Sequence, residues 1–311
     1  MTTRSGTTPA QPDPGLAVVL GERRRLTDLA YRLLGSLADA EDVVQETYAR
    51  WYAMPAPRRA AIESPGAWLT TVASRICLDL LGSARKRRER YLGAWLPEPL
   101  PERAEWPGGR PGDRAGDPAD RVTLDESVHM AFLVVLESMT PAERVAFILH
   151  DVFRYSFPEV AEIVGRTPAA CRQLASSARR RLRDPRASAT PVSRQAEIVR
   201  DFRRAWAARD VAALVALLDP GVTAVGDGGG LVAAEPGPIT GGGPVAQVFV
   251  DVAGRAPGLT ILERTVNGRP GLVARLDGVT VTVIAFDVAG DRIRHLWAVR
   301  NPEKLRAWTA E

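Results

Sequence analysis

The stretch that most limits the fold of this chain is residues 156–183, SFPEVAEIVGRTPAACRQLASSARRRLR. Ser156 and Glu159, three residues apart, form the pattern of a capping box, in which side chains satisfy the free N–H groups at a helix start. Gly165 can adopt the left-handed conformation that ends a helix, and the Thr-Pro pair at 167–168 favours the start of another. The segment therefore predicts two helices joined by a three-residue turn.

The second of these helices is basic and contains no acidic residue. Its apolar residues share one side, and the opposite side carries Arg172, Gln173, Ser176, Arg179 and Arg180. Such a helix can read base edges in the major groove of DNA, because Arg pairs with guanine and Gln with adenine. A basic surface helix of an ordinary helical bundle is the alternative interpretation.

The length, net charge and cysteine content of the chain limit the classes of protein to which it can belong. A length of 311 residues predicts two or three domains, and the net charge of +4 is mildly basic. Cys77 and Cys171 each fit an apolar helix face, so we expect a reduced, cytoplasmic protein without disulfides, metal sites or cofactors. No run of apolar residues is long enough for a membrane span, and we expect no signal peptide and no membrane partner.

The amino-terminal part divides into a tail and a helical block. Residues 1–14 are rich in Thr, Pro and Gly, which predicts a disordered tail, and residues 15–92 have helical spacing. Within DAEDVVQETYARWY, the residues Asp42, Gln45 and Glu46 share an outer face, which we call the docking face. Helix capping and solubility are the simpler explanation of these acidic residues.

A third amphipathic helix in this block begins at Ser64 and runs into a cluster of basic residues. We expect its outward residues and its basic run to comprise Ser74, Arg75, Asp79, Arg85, Lys86, Arg87 and Arg88. A basic run is most often a solvated helix end. On a rigid helix, however, the same charges can contact DNA phosphates in a fixed register.

The composition then changes twice along the chain. Residues 93–121 are rich in Pro and Gly without a helical period, which predicts a linker, and helices resume over residues 122–184. The linker segment WLPEPL at 95–100 is more apolar than a passive tether needs, so we expect it to dock within the protein.

Residues 193–311 have a different pattern, with helices first and strands later. Strand-like runs lie at 222–226, 231–234, 259–266, 272–276, 279–288 and 293–299, and a helix interrupts them near 244–253. They predict an α+β domain in which a curved antiparallel sheet forms a cone around a cavity. Asp227 and His295 are the polar candidates for a pocket there, although a lone His on a strand is more often structural.

The order and spacing of these segments resemble an extracytoplasmic-function sigma factor, the dissociable promoter-recognition subunit of bacterial RNA polymerase. DAEDVVQETYARW and AWLTTVASRICLDLLGSARKRR resemble its region 2, and MTPAERVAFILHDVFRYSFPEVAEIVGRTPAACRQLASSARRRL resembles its region 4. Both regions are all-α, region 2 a helical bundle and region 4 a helix-turn-helix. Residues 193–311 are similar to a SnoaL-like domain, of the nuclear-transport-factor-like fold, which a subgroup of these sigma factors carries.

The resemblance implies roles for the residues named above. The docking face would bind the β′ clamp helices of core RNA polymerase, and region 4 would contact the β flap. The third helix would engage and melt the −10 promoter element, although the family often has Asn where this chain has Arg75. The basic helix at 168–182 would read the −35 element. No catalytic residue is implied.

The subgroup with a SnoaL-like domain also shares three short motifs, which implies a built-in regulator in place of a separate anti-sigma protein. They correspond here to Trp95, Leu96, Pro97, Glu98, Pro99 and Leu100, to Asp227, Gly228, Gly229 and Gly230, and to Asn301, Pro302, Glu303, Lys304 and Leu305. We expect contacts among them to shift the chain between closed and polymerase-competent arrangements. Whether the domain activates or inhibits, and whether it binds a small molecule, stays open.

Two other functions compete with this interpretation. One is a stand-alone helix-turn-helix regulator, which would have no use for a docking face. The other is a SnoaL-like isomerase or cyclase fused to a DNA-binding module, with Asp227 and His295 as an acid–base pair.

Overall fold

The computed structural model describes residues 19, 21–88, 91, 93–102, 128–182, 190–235 and 237–309. The predicted tail at 1–14 and the part of the predicted linker beyond residue 102 lie outside the described residues. Among the helices described, we find none with the length and hydropathy needed to span a bilayer.

The first helical module, residues 21–88, is a bundle of amphipathic helices. Its helices are α1 (Arg23–Leu34), α2 (Leu37–Ala53), α3 (Ala56–Ala60) and α4 (Pro65–Arg88). Gly35 ends α1 with a φ of 69°, and the side chain of Ser36 then caps α2 by accepting from the Asp39 N–H. These local signals end α1 and begin α2 within two residues, and both helices pack on each other and on α4.

The second helical module, residues 128–182, contains the helix pair predicted from the sequence. Its elements are α5 (Met130–Glu137), α6 (Pro141–Phe147), a π-helical turn (Ile148–Val152), α7 (Phe157–Val164) and α8 (Pro168–Leu182). The capping box of Ser156 and Glu159 is present, and Gly165 ends α7 with a φ of 68°. The predicted helix-turn-helix is therefore confirmed.

The two helical modules share one hydrophobic core. Leu69 on α4 belongs to the same buried cluster as Leu149 and Val160 of the second module. Arg144 of α6 is buried between the modules, and its Nη1 donates to the Leu33 carbonyl at 2.9 Å. Burial lowers the pKa of Arg144 to about 10. In this structure the modules are thus packed against each other.

The C-terminal domain, residues 190–309, is α+β as predicted. Its elements are α9 (Val192–Ala208), α10 (Val211–Leu217), β1 (Leu218–Asp227), β2 (Ile239–Thr240), α11 (Gly242–Arg255), β3 (Leu259–Val266), β4 (Arg269–Leu276), β5 (Val279–Ala289) and β6 (Arg292–Val299). Two short 3₁₀ helices, Pro302–Lys304 and Arg306–Trp308, follow the last strand.

The sheet has the strand order β2-β1-β6-β5-β4-β3 and is mixed rather than wholly antiparallel. The strands β1 and β6 are parallel, with Ala224 opposite Leu296, while the other neighbouring pairs are antiparallel. Register shifts, such as the one at Asp287 and Val288, mark bulges, which bend strands.

The predicted strand at 231–234 is wrong. The N–H groups of Leu231 and Val232 both bond to the Gly228 carbonyl, so this segment turns back directly after β1. Donors used in a tight turn are not free for a ladder with another strand, and the apolar run therefore remains irregular.

The two sides of the sheet pack against different parts of the chain. The helices of the domain cover one side, with a core that includes Phe202, Phe249 and Leu296. The opposite side, around Trp297, is covered by the linker and by α5 of the second module, which form the third buried cluster. The C-terminal domain is therefore in contact with the linker and with the helical modules.

Candidate nucleic-acid and interdomain interfaces

The docking face lies on α2 and points to solvent. Asp42, Gln45 and Glu46 are exposed, while Val43 and Val44 beneath them are buried in the module core. Glu46 forms an ion pair of 2.8 Å with Arg50 one turn later, which is also exposed. The carboxylates are thus held on a packed helix and remain available to a partner.

The outward side of α8 is open to solvent at most of the predicted positions. Cys171, Ala175 and Ala178 are completely buried, and the opposite side exposes Arg172, Gln173, Ser176 and Arg180. Gln173, Ser176 and Arg180 also line an open surface depression. Arg166 lines the same depression and was not identified from the sequence. A bordering loop residue of this kind carries no periodic signal that would have identified it.

Arg179 differs from the other basic residues of α8. Its Nε donates to Asp151 Oδ1 at 2.7 Å, and its Nη2 donates to Asp151 Oδ2 at 3.1 Å. The guanidinium is therefore held bidentately by its own module and is only half exposed. In this structure Arg179 anchors α8 rather than presenting a free side chain to DNA.

The outward side of α4 differs from the prediction at one position and is partly covered at another. Ser74 is buried, and among the described residues its Oγ has no hydrogen-bond partner, so the outward placement is wrong. The buried side of α4 is wide because this helix packs on both modules. Arg75 and Asp79 are exposed, yet Arg75 Nη2 donates to the Glu162 carbonyl of α7 at 2.9 Å.

The basic run at the end of α4 is on the same continuous helix, because α4 extends to Arg88. The side chains of Arg85, Lys86, Arg87 and Arg88 lie outside the described part of the chain.

The motifs predicted to be regulatory meet around the carboxylate of Asp227, which is fully buried. It accepts hydrogen bonds from the Tyr91 hydroxyl at 2.7 Å, the Leu96 N–H at 2.9 Å, the Gly229 N–H at 3.0 Å and Lys304 Nζ at 2.6 Å. A buried carboxylate is stable only when it is paired and hydrogen-bonded in this way. We call these contacts, with those described in the next paragraphs, the linker interface.

Lys304 is the cation of the linker interface. Its Nζ also donates to the Leu96 carbonyl at 2.6 Å and lies 4.1 Å from the ring centroid of Trp95. Asn301 Nδ2 donates to the Tyr91 hydroxyl at 2.9 Å. The ammonium group is thus surrounded by acceptors and an aromatic face, which replace the water lost on burial.

The Gly-rich turn after Asp227 is required by the space around it. Gly229 has a φ of 65°, and a Cβ at this position would collide with the side chain of Asn301. A Cβ on Gly228 would collide with the Val232 carbonyl. Only glycine therefore allows the turn to pack against the segment that contains Asn301 and Lys304.

Glu98 attaches the linker to the first helical module. Its Oε2 accepts from the Leu37 N–H at 2.7 Å, at the start of α2, and its main-chain oxygen accepts from the Tyr31 hydroxyl at 2.7 Å. Burial is the largest influence on this carboxyl and raises the pKa of Glu98 to about 7. The contact joins the linker to the helix that carries the docking face.

Asn267, in the turn between β3 and β4, was not selected from the sequence. Its Nδ2 donates to the Tyr31 hydroxyl and to the Val128 carbonyl, both at 2.9 Å, and its Oδ1 accepts from the Leu100 N–H at 3.0 Å. One amide thus contacts the first module, the second module and the linker. The Asn-Gly pair at 267–268 signals a hairpin turn, but that signal gives no information about contacts with other domains.

Asp227 and His295 do not form the acid–base pair that the alternative enzyme interpretation would require. His295 Nδ1 bonds to Asp287 Oδ2 at 2.9 Å, and its ring stacks on Trp297. Neither Asp227 nor His295 belongs to the wall of the cavity between α11 and the sheet. Leu296 and Ala298 line the cavity, so His295 points to the opposite side of the sheet, as does Asp227. On that side His295 lies opposite Thr223 in the strand register, four residues before Asp227, which keeps the two apart.

Comparisons with known proteins agree with this architecture. Residues 19–88 match the family model of Sigma-70 region 2, and residues 129–182 match that of Sigma-70 region 4. The chain is 40% identical over 295 residues to the ECF RNA polymerase sigma factor SigJ of Mycobacterium tuberculosis, which covers 91% of this chain and 90% of that protein. It is 33% identical to the probable ECF sigma factor SigI of the same species, over 97% of this chain and 98% of that protein.

A solved structure leads to the same assignment. The crystal structure of Mycobacterium tuberculosis SigJ superposes with a TM-score of 0.71 at 35% identity, covering 94% of this chain and 98% of that chain. All three parts of the chain, including the α+β domain, are therefore present in the relative. The chain belongs to the extracytoplasmic-function (ECF) sigma factors of RNA polymerase.

Proposed function

We propose that this protein is an alternative sigma factor that binds core RNA polymerase and directs promoter-specific initiation, and that its C-terminal domain modulates this activity. The observation that carries the proposal is that one chain exposes both an acidic docking face on α2 and a basic reading face on α8. A stand-alone helix-turn-helix regulator would need the second surface but not the first.

The docking face is suited to a basic partner surface, which for this family is the β′ clamp helices of core polymerase. Asp42 and Glu46 lie one turn apart on a helix whose other side is buried, so their positions are fixed before binding. Preorganised charges steer association and determine which partner is accepted. The second module would reach the β flap and place α8 on the −35 element.

The closed arrangement supports a regulatory role for the C-terminal domain. The linker interface attaches the linker to both the first module and the C-terminal domain, while Arg75 of α4 is bonded to α7. Opening this arrangement would release Arg75 for the −10 element. We infer that the domain shifts the balance between closed and open states without catalysing a reaction.

The test of polymerase binding is a charge reversal on α2. We expect Asp42→Lys combined with Glu46→Lys to weaken binding of core polymerase about a hundredfold or more, because facing like charges costs several kcal/mol. Binding is measured by fluorescence anisotropy and initiation by in vitro transcription. Glu63→Lys is the matched control, since Glu63 is an exposed acid of the same module outside the docking face. A folded double variant with wild-type affinity would refute the proposal.

A further inference from the structure

The C-terminal domain contains a cavity that the proposed sigma function does not use. It has a volume of about 280 Å³ and lies between α11 and the helix-facing side of the sheet. Trp206, Phe249, Ile284 and Leu296 make its walls predominantly apolar. The volume is near the lower end of the range for ligand pockets, so a small molecule would fill it.

Among the described residues, Arg300 is a cation in the wall of this cavity that has no acidic partner. Arg300 is half buried, and burial lowers its pKa. Its Nη1 donates to the Ala233 carbonyl, and within the described residues no carboxylate lies at ion-pair distance from it. The other wall cation, Arg255, lies 3.9 Å from the carboxylate of Asp251, which also accepts from Gln247 at 2.7 Å. The second acid in the wall, Glu235, is exposed.

The guanidinium of Arg300 is partly buried beside an apolar space and has no carboxylate partner among the described residues. A ligand that combines an anionic group with an apolar body would complement it. A carboxylate or similar anion can accept two parallel hydrogen bonds from Arg and neutralise its charge. The apolar part of the same molecule would fill the space lined by Phe249 and Leu296. A neutral ligand would leave the guanidinium without an anion.

The cavity and the linker interface are built from the same two segments of chain. Gly226 lines the cavity and directly precedes Asp227, whose carboxylate is the centre of the linker interface. Arg300 lines the cavity and donates its main-chain N–H to the Asp227 carbonyl at 2.7 Å, and the Asn301 N–H donates there at 2.9 Å. A shift of Arg300 or of β1 on ligand binding would therefore move residues of the linker interface.

We propose that this cavity binds a small, largely apolar molecule with one anionic group, that Arg300 recognises the anion, and that binding changes the strength of the linker interface. The regulatory part of the proposal rests on the proposed function of the C-terminal domain. The binding part does not.

The binding part is tested by calorimetry on the full-length protein with octanoate, decanoate and 2-naphthoate, each compared with its neutral carboxamide. We expect at least one carboxylate to bind and its carboxamide to bind at least about tenfold more weakly. This comparison needs no variant. Failure of all the carboxylates to bind, or equal affinities within each pair, would overturn the proposal.

Substitution of the arginine locates the site. Arg300→Gln should weaken binding of the same carboxylate at least about tenfold. Arg292→Gln is the matched control, because Arg292 also donates from Nη1 to a single main-chain carbonyl, at 2.9 Å, but does not line the cavity. Unchanged affinity in a folded Arg300→Gln protein would exclude Arg300 as the anion site.

The coupling is tested by its reciprocity, since an interface that responds to the ligand must in turn affect ligand affinity. We expect Lys304→Met, or the milder Tyr91→Phe, to change carboxylate affinity at least threefold. Unchanged affinity in both variants would overturn the coupling. The titrations contain no polymerase or promoter, so their failure would leave the transcription tests of the proposed function unaffected.

Discussion

The two helices that are candidates for DNA recognition, α4 and α8, differ in how much of their polar side is free. On α8, Arg172 and Gln173 face solvent. On α4, Ser74 is buried and Arg75 is bonded to the neighbouring module. The packing seen here therefore restricts the −10 candidate more than the −35 candidate. Under the proposed function, we expect closure to act mainly on α4.

The difference has a simple cause in packing. The side of α8 that is buried contains small residues, such as Cys171, Ala175 and Ala178, and packs within one module. In contrast, α4 packs on helices of its own module and on α6 and α7 of the second one. A helix with two packing partners has fewer positions left for a third partner.

The largest effect is expected from breaking the linker interface at Lys304. Lys304→Met leaves the buried carboxylate of Asp227 without its cation, which should lower the free energy of unfolding by about 3–5 kcal/mol. If closure restricts α4 alone, this variant should bind a single-stranded −10 oligonucleotide more tightly and a −35 duplex unchanged. Arg204→Met, at an exposed arginine of α9, is the control. An equal gain in affinity for the −10 oligonucleotide and the −35 duplex would contradict the view that closure restricts α4 more than α8.

A pH dependence should follow from Glu98 at the same interface. The pKa of Glu98 is about 7 in the folded protein, against an ordinary value of 4.5 that we take for the unfolded chain. Between these pH values the folded protein therefore binds more protons than the unfolded chain. The contribution of Glu98 to the free energy of unfolding is therefore fully present at low pH and is lost as the pH rises from about 4.5 to 7. The loss amounts to about 3 kcal/mol.

The measurement is urea unfolding of the wild type and of Glu98→Gln between pH 5 and 8. Subtracting the unfolding free energy of Glu98→Gln from that of the wild type at each pH removes the contribution of His129. Burial lowers the pKa of His129 to about 4, so its contribution to stability rises with pH, opposite to that of Glu98. Parallel pH profiles for the two proteins would show that Glu98 does not titrate in this range.

A smaller effect is expected at the exposed face of α8. Arg172→Ala should cost about 1–3 kcal/mol of binding at one base position of the −35 element, because a bidentate contact to guanine would be lost. Binding is measured on duplexes that vary each position in turn. A uniform loss over all sequences would mean that Arg172 contacts phosphate only.

The smallest effect is expected at Arg179, on the same helix. Its ion pair with Asp151 is partly exposed, so Arg179→Ala should lower the free energy of unfolding by only about 0.5 kcal/mol. Base preference should not change, because the guanidinium is already bound within the module. A change of base preference as large as that of Arg172→Ala would show that the ion pair opens on DNA.

Much of the local structure could be predicted because its causes are close in sequence. The capping box at Ser156 and the left-handed Gly165 are decided by neighbours within four residues, and both are present. The strand predicted at 231–234 failed because a turn to Gly228 used the donors that a ladder needs. Ser74 was misplaced because the width of a buried helix side depends on how many partners the helix meets.

The sequence by itself determined the helix-turn-helix, the α+β character of the last domain and the exposed docking face, since these depend on local caps and on hydrophobic periodicity. Only the tertiary structure decided that Asp227, Lys304 and Glu98 meet at one linker interface, that Asn267 joins three parts of the chain, and that Arg179 is held by Asp151. These contacts join residues far apart in the chain. Their formation depends on how whole domains pack, which no local pattern of residues encodes.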